Sequence, residues 1–165
     1  MSSPAESEAE HPDLVPLRVT LAIDVNLEAA LAALADLSWL GRVTEGPADQ
    51  PEVRRIAADL ELPIRDGSAP GPVRKAALID LGPARMTDGL ITATTTWQSA
   101  TLAPLFPVFA GQLRISASGL ALMGQYAPPF GRLGLVIDAA LLRFVARRTA
   151  QAFLVRVATR LADTR

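Results

Sequence analysis

The sequence contains no cysteine, and its single histidine is His11. The first absence excludes disulfides, thiolate metal sites and thiol redox chemistry. The second takes Ser–His–Asp and Cys–His catalysis, and histidine-based metal centres, out of everything beyond the first few residues. A phosphate-cradling loop is missing as well. Gly111, Gly119 and Gly124 are spaced as strand or turn glycines and do not make a GxGxxG fingerprint. Oxygenase, hydrolase and nucleotide-binding readings are therefore set aside. Half of the 165 residues are hydrophobic and the mean hydropathy is +0.26, yet the apolar runs are cut early, at Asp138 and Arg143 for example. None approaches the ~18 residues of a membrane-spanning helix. The opening MSSPAESEAEHPD is acidic and lacks the basic and apolar regions of a signal peptide. It predicts a disordered tail over residues 1–14, a single domain over 15–165 and a cytoplasmic location.

What is present is unevenly distributed. Residues 1–66 hold 13 Asp and Glu against 5 Arg, whereas residues 67–165 hold 11 Lys and Arg against 4 Asp, for a net charge of −1. Such asymmetry marks either a basic face for an anionic partner or two halves that neutralise each other when packed. No long block of like charges occurs, which favours mutual neutralisation. Arg143, Arg147, Arg148, Arg156 and Arg160 spread around a helical wheel and carry no interleaved base-stacking aromatics. No nucleic-acid partner is expected.

Val19, Leu21, Ile23 and Val25 alternate with polar residues over Leu17 to Val25, the pattern of a half-buried strand. Asn26 is a helix N-cap for LEAALAALADL, with Leu27, Leu31, Leu34 and Trp39 as its buried stripe. Residues 52–62 fit a strand and tolerate a short helix. After the RDGSAPGP loop, strands are predicted over Val73 to Leu81, Leu90 to Ala100, Phe106 to Ser118 and Leu120 to Ala127. Pro128-Pro129 then ends the sheet, and a helix is predicted from Leu133 to Leu161. It shows two apolar stripes: Ile137, Leu141, Val145, Ala152 and Val155 form one, and Leu135, Ala139, Leu142, Ala146, Phe153 and Val157 the other. Two stripes imply cover on more than one side.

In LAIDVNLEAALAALADLSWL, with Asp36 and Trp39 closing the first helix, and in YAPPFGRLGLVIDAALLRFVARRTAQAFLVRVATRL, the chain resembles the SRPBCC superfamily. These are the START-like or Bet v 1-like helix-grip proteins. The resemblance runs over about residues 15–163 in the order of elements, without the short second helix usual in that group. It implies an α+β helix-grip fold, a curved antiparallel sheet wrapped around a long C-terminal helix, with a cavity between them for an apolar small molecule. Members include lipid carriers, polyketide cyclases and dehydratases, and quinone-binding proteins, so the fold leaves the function open.

Candidate cavity-lining residues are Trp97, Phe106 and Phe109, with Trp39 at the mouth, Tyr126 at the sheet–helix corner, and Leu141 and Val145 on the helix. Small residues (Ala93, Ser99, Gly111, Ala117, Ala121, Gly124) either leave a pocket of roughly 300–1,000 Å³ or let sheet and helix approach closely. Acid–base chemistry would fall to Asp138 or Tyr126, with Asp80, Asp88 and Arg114 as further candidates. Asp138 is equally explained by the helix dipole. No metal or cofactor is expected. Three functions follow in order: a non-enzymatic carrier of a lipid, isoprenoid or polyketide-like molecule; a cyclase or dehydratase using a pocket carboxylate; and a homodimerising interaction module with a filled interior.

Overall fold

The computed structural model describes residues 14–62, 73–100, 108–127 and 139–163. The first strand, β1 (Val15–Ala22), is followed by helix α1 (Leu27–Ala35), then β2 (Arg42–Glu45), β3 (Arg54–Leu62), β4 (Val73–Leu81), β5 (Arg85–Thr87), β6 (Leu90–Ser99), β7 (Val108–Ser116), β8 (Gly119–Ala127) and the last helix, α2 (Ala139–Ala162). All pairings are antiparallel, in the order β1-β8-β7-β6-β4-β3-β2, with β5 also paired to β6. One curved sheet therefore closes on α2, which packs chiefly on β1, β3 and β8. This is the helix-grip arrangement.

Local chemistry accounts for the boundaries. Asn26 caps α1, its Oδ1 accepting from the N–H groups of Glu28 and Ala29 at 3.0 and 3.1 Å. The chain must leave the strand to reach this cap, so β1 ends at Ala22 and not at Val25. Val25 is buried all the same, and its N–H donates to the Ala117 carbonyl at 2.9 Å. Asp36 ends α1 before any glycine does: its Oδ1 accepts from the Ser38 N–H at 3.0 Å. The α1 face is also rotated from the expected stripe. Ala30, Ala33 and Leu34 are buried, while Leu27, Leu31 and Trp39 are half-buried. Residues 54–62 form a strand, and two short strands not expected from the sequence, β2 and β5, complete the sheet. Asp88 and Gly89 both have positive φ, 51° and 73°, making the two-residue turn that returns β5 to β6.

Alternation then assigns the faces. Leu17 and Val19, Ile56 and Ala58, Ala77, Ile79 and Leu81, Ile91, Ala93, Thr95 and Trp97, Phe109, Leu113 and Ile115, Leu120, Leu122 and Tyr126 point into the concave side. From α2 the core receives Val145, Ala146, Thr149, Ala150, Phe153, Leu154, Val157, Ala158 and Leu161. Each fully buried large side chain contributes about 1.5–3 kcal/mol. The stripe holding Ala146, Phe153 and Val157 is the one that faces the sheet. The other divides, with Val145 buried and Val155 46% exposed.

Candidate functional site

The register of the sheet brings three of the expected lining residues into one line. Tyr126 lies opposite Phe109, Phe109 opposite Trp97, and Trp97 opposite Ile79, on four strands adjacent in the sheet. All four side chains are buried. The rings of Trp97 and Phe109 stack with centroids 4.2 Å apart and an interplanar angle of 21°. From the helix, Phe153 meets Trp97 at 5.9 Å and 49°. The neighbouring line across the sheet is small: Gly124 opposite Gly111, and Gly111 opposite Thr95. A Cβ built on Gly111 or Gly124 would come within 2.6 or 2.8 Å of Phe109 Cζ. The Phe109 ring thus lies over the two glycines and occupies the space they leave. Of the other small residues, Ala93 is buried, whereas Ala117 is exposed in the β7–β8 turn and Ala121 lies on the outer face.

Within this apolar interior two donors are stranded. Trp97 Nε1 and Thr149 Oγ1 are buried and have no hydrogen-bond partner. Val145, Thr149 and Phe153 follow one another at four-residue intervals on the buried side of α2, so Thr149 is one turn from the ring that meets Trp97. A helical threonine commonly bonds back to the carbonyl four residues earlier. Thr159 does so, to Val155 at 3.0 Å, and Thr149 does not. An unsatisfied buried donor costs about 1–3 kcal/mol. Thr95, the other buried polar residue, does have an acceptor, the Ala93 carbonyl at 3.3 Å. Among the described residues, no Asp, Glu, Lys or Arg is buried.

The remaining candidates are placed elsewhere. Trp39 is committed to α1, its Nε1 donating to the Ala33 carbonyl at 2.8 Å. Asp80 faces outward, where its carboxylate takes a two-pronged contact from Arg55 at 2.7 and 2.7 Å. That contact also holds the Arg55 pKa above its ordinary value. Arg114 lies on the same outer face, and Asp88 is exposed in a turn. None of these three can serve the interior. Phe106, Asp138 and the Leu141 side chain lie outside the described residues. Among the described residues no group of carboxylates and imidazole could hold a metal ion, and no helix is long and apolar enough to cross a membrane. The outer side of α2 exposes Phe144, whose ring is partly covered by the Arg148 guanidinium at 5.3 Å.

Sequence reasoning passed over Thr149 and Phe153 as site residues. Thr149 carried a usable signal: a lone hydroxyl between Ala146, Ala150 and Phe153 on the buried stripe. Compared with known proteins, the sequence matches no family model and no curated protein significantly.

Proposed function

We propose that this is a START-like binding protein that holds a small, uncharged, largely apolar molecule between α2 and the Trp97–Phe109–Tyr126 row, without catalysing a reaction. The observation that carries this reading is the pair of stranded donors, Trp97 Nε1 and Thr149 Oγ1. A carbonyl or ether oxygen brought to them by an otherwise apolar ligand would supply the hydrogen bonds that these two donors lack. The surroundings select against charge, because no ionic side chain is buried among the described residues to pair with it. The same observation argues against a cyclase using Asp80 or Asp88, which lie on the outer face and in an exposed turn. Occupancy requires the stacked rings to shift. Phe109 has a direction in which to go, along the glycine patch it already covers.

The test combines native mass spectrometry of the protein taken directly from cells with thermal shifts in cyclohexanone and methylcyclohexane. A discrete adduct, or a ketone that raises Tm more than the hydrocarbon does, supports the reading through the linkage between ligand and folded state. The ketone preference should vanish in Trp97→Phe. A bare chain that no probe stabilises overturns it, and a bare dimer would favour an interaction module instead.

A further inference from the structure

A second site lies on the opposite face of the sheet. A groove of about 400 Å³ runs across β1, β8, β7 and the start of β6, lined by Arg18, Thr20, Leu90, Arg114, Ser116, Ser118 and Met123 among others. Its volume falls within the ~300–1,000 Å³ of small-molecule sites. Its floor is shallow because Ala22, Gly119 and Ala121 carry almost no side chain there. The register explains why two arginines flank it. Arg18 is opposite Met123 and Arg114 is opposite Ala121, so they stand on strands two apart with Met123 between them.

Neither arginine is neutralised by a carboxylate among the described residues. Arg114 reaches only Met123 Sδ, 3.8 Å away, a weak acceptor, and Arg18 has no ion-pair partner among the described residues. There is a sequence reason. The strands β1, β5, β6, β7 and β8 contain no Asp or Glu, although they carry Arg18, Arg85 and Arg114. Asp80, an outward carboxylate on β4, is taken by Arg55. The groove therefore presents two fixed positive charges, three hydroxyls and a small apolar strip formed by Leu90, Ala121 and Met123.

We propose that this groove binds the oxyanion group of a small amphiphile, a phosphate or carboxylate joined to a short apolar chain. The oxyanion would lie between the Arg18 and Arg114 guanidiniums, where charge-assisted hydrogen bonds are strongest. A hydroxyl donor would come from Thr20, since the Ser116 hydroxyl already donates to the Gly119 carbonyl at 3.3 Å, and the chain would lie along Leu90 and Met123. This site is separate from the interior: the outer face and the core are opposite sides of the same strands. It does not depend on the interior reading.

The test is an isothermal and NMR titration of the full chain with hexyl phosphate, with inorganic phosphate and hexanol as controls. Hexyl phosphate should bind saturably, perturb Arg18, Arg114, Ser116 and Met123, and weaken about tenfold or more in Arg18→Gln and in Arg114→Gln. Arg18 is exposed, so its variant folds normally; an unchanged Tm certifies Arg114→Gln. Thr149→Val should leave this binding untouched. A parallel arm measures recruitment to phosphatidylcholine vesicles with and without phosphatidic acid. Recruitment that needs the acid and both arginines, without binding of the soluble probe, assigns the oxyanion to a lipid headgroup. Binding of hexyl phosphate no better than hexanol, together with no vesicle recruitment, overturns the proposal. So does affinity that is the same in both glutamine variants.

Discussion

Replacing Thr149 by valine exchanges a stranded hydroxyl for a methyl group and leaves the branching at Cβ unchanged. The two residues have similar helix propensity, so the helix itself is indifferent to the change. What changes is solvation. In the folded chain the Thr149 hydroxyl has lost water and gained no partner, a debt of about 1–3 kcal/mol. Rotation about χ1 would let it bond back to Val145, as Thr159 bonds to Val155, and such excursions reduce the debt, so the lower part of that range applies. Thr149→Val should therefore stabilise the ligand-free protein by about 1–2 kcal/mol. At about 2–4 °C per kcal/mol for a domain of this size, Tm rises by about 2–8 °C. Urea unfolding followed through tryptophan fluorescence measures it directly, since Trp97 is buried and reports loss of the core. Thr159→Val, at an exposed position, is the control and should stay within about 0.5 kcal/mol of the parent. The same Thr149 variant should lose part of the extra stabilisation conferred by cyclohexanone. A variant that is instead destabilised by a kilocalorie or more would mean that the hydroxyl is satisfied in solution, and the main support for the binding reading would be gone.

Three further outcomes are expected. Gly111→Ala should cost about 1–3 kcal/mol in urea unfolding, because its Cβ would collide with the Met123 carbonyl oxygen and crowd Phe109 Cζ. Asp80→Asn should lower stability by about 1 kcal/mol, an effect that shrinks at high salt because both partners of the Arg55 contact keep some access to solvent. The Asp36 carboxyl titrates below its ordinary value, held there first by the Ser38 hydroxyl and then by the Ser38 N–H. The folded state thus favours the ionised form. The stability advantage of the parent over Asp36→Asn should be fully present above about pH 4 and disappear as pH falls through the folded-state value, which parallel thermal melts at neutral and acid pH will show.

The sheet and its gripping helix were legible because their signals are local. Alternation over Leu90 to Ser99, the capping Asn26 and the proline pair at residues 128–129 each act within a few residues. The short strands were harder to see. β2 is exposed along its whole length, so it carries no apolar alternation to read. β5 has only three residues, all exposed, and its true marker was the Asp88-Gly89 pair, a strong hairpin signal. The aromatic row was half legible. That Trp97, Phe109 and Tyr126 belong to the interior follows from composition and alternation, but that they are direct neighbours depends on strand register, which links residues 12 and 17 positions apart in sequence. The glycine pair was read as leaving either a pocket or a close approach of sheet and helix, and the side chain that lies over it was not legible. Gly111 and Gly124 do open space, and Phe109 fills it. Asp80 and Arg114 were assigned no face by the sequence argument, and the single step that separates them from the apolar Ile79 and Leu113 would have turned both outward.

Among the described residues the main strand path of the sheet ends at β1 and β2, and their makeup bears on how the protein behaves when crowded. A long, flat, uncharged border would invite another chain to add a strand. Here β2 is four residues long and carries Arg42 and Glu45, while β1 carries Pro16, which has no N–H to offer, and the exposed Arg18. Both borders are blunted by length, charge or a missing donor. Despite a chain that is half hydrophobic, the fold should tolerate high concentration without fibril growth, and Pro16→Val with Arg18→Val should make it the more aggregation-prone protein.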